Sequence, residues 1–129
     1  MKIVALLGRI LFALIFILSG ISHITGAGVD MTAAAGVPMA GVLVPLAGLL
    51  SLAGGLSILL GYKVKIGAWL IVIFLIPVSV ALHNFWAVKD PMMAQMHMAM
   101  FMKNVSILGG ALLLAYFGAG PYSIDHRKG

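Results

Sequence analysis

The chain has 129 residues, of which 63% are hydrophobic and only 9% charged, with eight basic and three acidic side chains and a formal net charge of +5. One domain fits in that length, and so few charged groups cannot cover a water-facing surface, which excludes an ordinary soluble globule and a phosphate-binding groove for nucleic acid. The absence of cysteine excludes disulfide relays, thiolate metal sites and anchoring through a lipobox cysteine.

Four apolar segments, residues 3–24, 39–61, 64–86 and 92–117, are long enough to cross a bilayer, which takes about 20 residues each. Backbone groups in hydrocarbon must find partners within their own segment, so the expectation is an all-α membrane protein, a four-helix antiparallel bundle. The first segment opens like a signal peptide. Arg9 interrupts it, however, and three further spans follow, so it reads as an uncleaved first helix. Residues 25–38 form the longest connection, with a short surface helix expected over 31–35. Tyr62-Lys63 allows only a turn between antiparallel neighbours, and Lys89-Asp90-Pro91 opens the last span with a proline suited to a first helical turn.

Lys2, Lys63, Lys65, Arg127 and Lys128 fall at one face of this arrangement and Lys89 alone in a loop at the other, so the positive-inside rule places both termini in the cytoplasm. Gly48, Ala53, Gly54 and Gly55 in the second helix, and Gly109, Gly110 and Ala111 in the fourth, are small enough for helix backbones to approach closely. Pro77 is expected to kink the third helix and Pro45 to bend the second.

Polar groups concentrate between His83 and Asn104, which holds two of the four histidines and six of the nine methionines. On this topology His23, His83 and His97 share the outer face, an arrangement a metal or haem would need. Interfacial histidines serve equally as anchors and loop hydrogen-bonders, and no metal is assigned to them. The methionines are soft ligands of the kind that selects copper(I), but they point all round the helix, which suits lipid contact and gap filling.

Arg9 and Lys103 lie inside apolar runs, where a cation costs on the order of 2.5–3.5 kcal/mol unless it snorkels to an interface. Asp30, Asp90 and Asp125 all lie outside the spans, so a buried partner for either cation must be a carbonyl, a lipid head group or a bound ligand. Arg9, Phe16 and His23 recur every seven residues on the first helix. His97, Phe101 and Asn104 make a second stripe on the fourth, flanked by Lys103. With Ser51, His83 and Asn84 these residues form the candidate ligand pocket, in which cation, aromatic and polar groups suit a flat molecule with polar ends, such as a quinone. Phenylalanines at helical spacing are also what a plain core contains.

Several short motifs share an order and spacing. They are Gly8-Arg9-Ile10-Leu11 with Phe16 and Ser19-Gly20, Gly36-Val37-Pro38, Gly54-Gly55 with Leu60-Gly61, and Phe101-Met102-Lys103-Asn104 followed by Gly109-Gly110 and residues 118–125. In these the chain resembles the DoxX family, and also the YphA-type inner-membrane proteins. The resemblance implies a small multi-pass protein of the bacterial inner membrane, in a family associated with a quinone-reducing enzyme and redox-stress complexes. That family often carries Glu in a Leu-Leu-Glu pattern where this chain has Leu49-Leu50-Ser51, so a paired acid for Arg9 is missing.

Two functional readings follow. In the first, the chain is a quinone-associated accessory subunit of a membrane redox system, docked to a partner that carries the electrons. In the second, it is a non-enzymatic assembly factor or scaffold that uses its glycine-rich faces. A small-solute transporter is the weaker reading, because no internal repeat and no broken helix mark a substrate site.

Overall fold

The computed structural model describes residues 1–128, with side chains through His126. Four long helices dominate it: α1 (Lys2–Ile24), α3 (Ala40–Leu60), α4 (Val64–Leu82) and α5 (Pro91–Phe117). Short helices α2 (Val29–Ala34) and α6 (Ile124–Lys128) and a 3₁₀ turn at Phe85–Ala87 complete the chain. The four long helices contain 23, 21, 19 and 27 residues, about 29 to 40 Å at 1.5 Å per residue, enough to cross a hydrocarbon core. All four combine that length with the apolarity of a membrane span.

Local chemistry fixes where the helices begin and end. Gly61 closes α3 at φ +72°, and Lys63 enters α4 at φ +50°, so two left-handed residues flank Tyr62 in the turn. The Asp90 carboxylate accepts from the Met92 amide at 3.1 Å and Pro91 follows it, the N-cap and first-turn proline that sequence leads one to expect. The third span differs from expectation. Residues 64–86 read as one helix, but α4 stops at Leu82 and the chain turns at His83 and Asn84. The rings of Phe85, Trp86 and Phe101 pack edge-on to one another at 5.3 to 5.6 Å. This triangle seats the 3₁₀ turn on α5 and draws the chain out of the helix. Pro45 and Pro77 lie within continuous helical segments.

α3 is the central helix, with α1 on one side and α4 on the other, and α5 lies along α4. Glycine makes this order possible. A Cβ at Gly20 would meet the Leu52 amide nitrogen at 2.7 Å and the Gly48 carbonyl oxygen at 2.8 Å, so α1 and α3 are in backbone contact there. Gly54 performs the same service toward α4, where a Cβ would stand 2.9 Å from the Gly67 carbonyl. Phe16, Ile58, Ile71, Phe74 and Leu75 fill the interior between these backbones. Two interhelical hydrogen bonds stitch it. Ser51 Oγ donates to the Phe16 carbonyl at 2.8 Å, and Asn104 Nδ2 donates to Ser79 Oγ at 3.0 Å. The remaining apolar side chains, such as Leu11, Leu18 and Leu113, point outward, as lipid contact requires.

Both termini lie at the same end, since Arg9 on α1 bonds to residues 121 and 122. The side chains of Arg127 and Lys128, counted among the topology charges, lie outside the described residues.

If backbone contact between α1 and α3 holds the bundle, Gly20→Leu should cost about 1–3 kcal/mol through overpacking. Thermal unfolding in detergent, followed by loss of the monodisperse peak, measures this. Gly109→Leu, where nothing lies within 4 Å of the added Cβ, should leave the midpoint unchanged.

Candidate functional site

The polar residues named from sequence separate into three places. At the termini end, Arg9 is only 2% exposed. Its Nη1 faces the Ile58 and Leu59 carbonyls at 3.4 and 3.5 Å, near the end of α3. Its Nη2 donates to the Pro121 carbonyl at 3.4 Å and to that of Tyr122. Carbonyls at a helix C-terminus have no partner within the helix, and a planar fork of donors suits several of them at once. Of the three kinds of partner that the lack of intramembrane acids leaves open, Arg9 therefore takes backbone carbonyls. Gly61 is pressed between Arg9 Nη1 and Ser123, with no room for a side chain.

The tail completes this end. The Asp125 amide donates to the Gly61 carbonyl at 2.7 Å. Its carboxylate accepts from the Lys63 amide at 2.7 Å and the Val64 amide at 2.9 Å, capping α4 from 61 and 62 residues away. Asp125 was passed over in sequence as a tail residue. Its sequence signals are that it is one of three acids in the chain and that it ends the motif at residues 118–125.

In the middle of the bundle, Phe16 and Ser51 belong to the α1–α3 contact, and Asn104 to the α4–α5 contact through Ser79. Phe16 packs between Phe12 and Phe74, with centroids 5.3 and 6.3 Å away. Ser79 was also missed, although a lone polar residue in an apolar run marks such a pairing.

At the far end the histidines divide. His83 and His97 face each other between α4 and α5, with Nδ1 atoms 3.4 Å apart and ring centroids 5.6 Å apart. Asn84 and Phe101 flank this pair through the 3₁₀ turn. Lys103 is exposed on α5, its Nζ 3.8 Å from Met100 Sδ. His23 stands apart, its Nδ1 3.1 Å from Ser19 Oγ on α1. Among the described residues no three of His, Cys, Asp or Glu are grouped to hold a metal ion. The three histidines share an end of the bundle, not a site.

What His23 does line is a cleft of about 410 Å³ framed by α1, α2, α3 and α4. Its walls are apolar, from Val44, Ala47 and Leu50 on α3 and Phe74, Pro77 and Val78 on α4. His23 and the buried Thr32 are the polar exceptions. When the Ser19 hydroxyl donates to Nδ1, the imidazole proton sits on Nε2 and is free to donate. Thr32 was not legible as a site residue, because only α2 folding back on α3 brings it to the cleft.

Comparison with known proteins identifies the relatives of this chain. The model of the SURF4 family matches residues 2–129. The inner membrane protein YqjF of Escherichia coli (strain K12) is 40% identical over 122 residues, covering 93% of this chain and 88% of that protein. The inner membrane protein YphA of the same organism is 32% identical over 127 residues, covering 97% and 90%. A Surfeit locus protein 4 homolog of Schizosaccharomyces pombe is 28% identical over 124 residues, 95% of this chain but 37% of that protein. No solved structure matches. The family match corrects the DoxX resemblance: short glycine- and arginine-containing motifs in a four-span chain do not separate one such family from another, whereas the SURF4 match extends over residues 2–129. The likeness to YphA holds.

Arg9→Met should lower stability by about 1–3 kcal/mol, the cost of leaving buried carbonyls unpaired. Limited proteolysis should then cut within residues 118–126, which stay protected in the parent chain. Arg9→Lys should restore only part, since one ammonium cannot serve both the α3 end and the tail.

Proposed function

We propose that this chain, a member of the SURF4 family and an integral protein of the inner membrane, is a ligand-holding membrane subunit of a redox system. Its cleft at His23 and Thr32 takes a quinone, and a separate partner exchanges electrons with the bound molecule. The observation that carries this reading is the cleft itself, about 410 Å³ of apolar wall with an imidazole and a hydroxyl among its lining groups. That size lies within the range of small-molecule pockets, about 300–1,000 Å³. An apolar ring and isoprenoid tail match the aliphatic and aromatic walls, and a ring carbonyl accepts a hydrogen bond from His23 Nε2 or Thr32 Oγ1. A chain without cysteine has no thiol couple of its own, and on this reading the electrons come from the partner.

Arg9, Phe16, Ser51 and Asn104 support the pocket indirectly, by holding the helices that frame it. Lys103, His83, Asn84, His97 and Phe101 lie on the α4–α5 side and serve the partner surface on this reading. The positive-inside rule puts the termini end in the cytoplasm and the cleft toward the outer leaflet.

One observation favours the scaffold reading. α5 packs lengthwise against α4, leaves most of its surface exposed, and presents Gly109 to open space. A partner helix could approach closely there without any ligand in the cleft.

Mass spectrometry of an organic extract separates the two. Protein purified in mild detergent should carry about one quinone per chain above an unrelated membrane protein prepared alongside. Val78→Trp, which fills the cleft, and His23→Phe, which removes the donor, should each reduce that yield several-fold, while Lys103→Met should leave it intact. No enrichment over the control would reject the quinone reading and favour the scaffold, whose partner crosslinks should vanish in Gly109→Leu.

A further inference from the structure

The termini end of the bundle carries two clefts that the proposed quinone site does not use. One, of about 490 Å³, is lined by Lys63, Lys65, His126 and the backbone of Gly118–Gly120. The other, of about 450 Å³, is lined by Lys2, Tyr122, Ser123 and again His126. The two therefore adjoin across one imidazole. Three lysines face one acid, Asp125, whose carboxylate oxygens already accept from the Lys63 and Val64 amides. The local balance is cationic on both sides of His126.

These clefts are built. Arg9 holds the carbonyls of Pro121 and Tyr122, the Asp125 amide holds Gly61, and Ser123 Oγ donates to the Gly120 carbonyl at 2.6 Å. The segment that forms the shared wall is fixed at both ends, so the lysines flank a preformed cavity. Exposed apolar side chains continue from each cleft onto the membrane-facing flank: Ile66 and Phe117 beside the first, Leu60 and Ile124 beside the second. A soluble anion would have no use for those flanks, whereas acyl chains would lie along them.

We propose that this end binds an anionic phospholipid with two phosphodiesters joined by a short bridge, a diphosphatidylglycerol, with one phosphate in each cleft. Lys63 and Lys65 hold one phosphate, Lys2 holds the other, and His126 stands between them. Each phosphate carries one negative charge, and each cleft supplies at least one lysine to face it. Basic pockets at the ends of membrane helices recognise lipid head groups by this combination of charge and apolar border.

Native mass spectrometry of the full chain, delipidated in mild detergent, tests the proposal. The chain is titrated separately with diphosphatidylglycerol, phosphatidylglycerol, phosphatidylethanolamine and inorganic pyrophosphate. The first should be retained most tightly, with phosphatidylglycerol weaker and phosphatidylethanolamine and pyrophosphate weakest. Lys2→Gln should weaken retention about fivefold, and Lys63→Gln with Lys65→Gln more, at roughly fivefold per cation near an anionic surface. Lys89→Gln at the opposite end should change nothing, and Lys→Arg at the same three positions should restore binding. Equal retention of phosphatidylethanolamine, or unchanged binding in the glutamine variants, would overturn the site. Equal retention of phosphatidylglycerol would overturn the paired-phosphate geometry. Displacement by pyrophosphate at matched concentration would show a free-anion site instead. The lipid series on the unmodified chain decides the matter even if a variant fails to fold.

Discussion

One guanidinium joins the end of the third helix to the tail of the chain. Arg9 is buried in an apolar helix, where an uncompensated cation would be expelled. The carbonyls at the end of α3, that of Leu59 and that of Ile58, which also accepts from the Gly61 amide, supply its compensation. The exchange works in both directions, because each group answers the solvation problem of the other. With the Pro121 and Tyr122 carbonyls added, the tail turns back toward the bundle and brings Asp125 to the first turn of α4. Removing Arg9 would thus disturb three helices and the tail together, although only one side chain had changed.

Most polar groups within the spans are used for assembly. Ser51 ties α3 to the α1 backbone, and Asn104 ties α5 to Ser79 on α4. Hydrocarbon offers such groups no water, so each must find a protein partner or a ligand. His23 and Thr32 differ in that they line the cleft of about 410 Å³, whereas Ser79 and Asn104, bonded to each other, border only a smaller one of about 190 Å³. That difference directs attention to the far-end cleft, and it moves the proposed site off the stripe of Arg9 and Phe16, whose members are held by backbone and core.

The sequence made the spans legible because membrane length and apolarity depend on local runs of residues. It also made the nature of Arg9's partner legible, since no acid lies within any span and a carbonyl was among the choices left. The grouping of His23, His83 and His97 was not legible at the level needed for chemistry. Chain order shows that all three reach one end of the bundle, but it does not show that α1 packs on α3 while α5 packs on α4. Backbone contact at Gly20 and Gly48 decides that pairing, and glycines elsewhere, such as Gly109, look the same in sequence yet meet nothing. The stop of α4 at Leu82 was hidden for a related reason. Phe85 and Trp86 look like continuing span residues until Phe101, from the next helix, is seen beneath them.

The reach of Asp125 to the Lys63 and Val64 amides sets an order of events in biogenesis. The hairpin of α3 and α4 is local and can enter the membrane as soon as it is made, but the first turn of α4 stays uncapped until α5 and the residues beyond it have been synthesised. Closing that contact across 61 to 62 residues carries the entropy of a long loop, partly prepaid by the insertion of α5, which returns the chain to the correct side. The bundle therefore inserts from its first helix onward and is locked from its last, and a chain interrupted after α5 would hold every span yet lack the clasp that joins them.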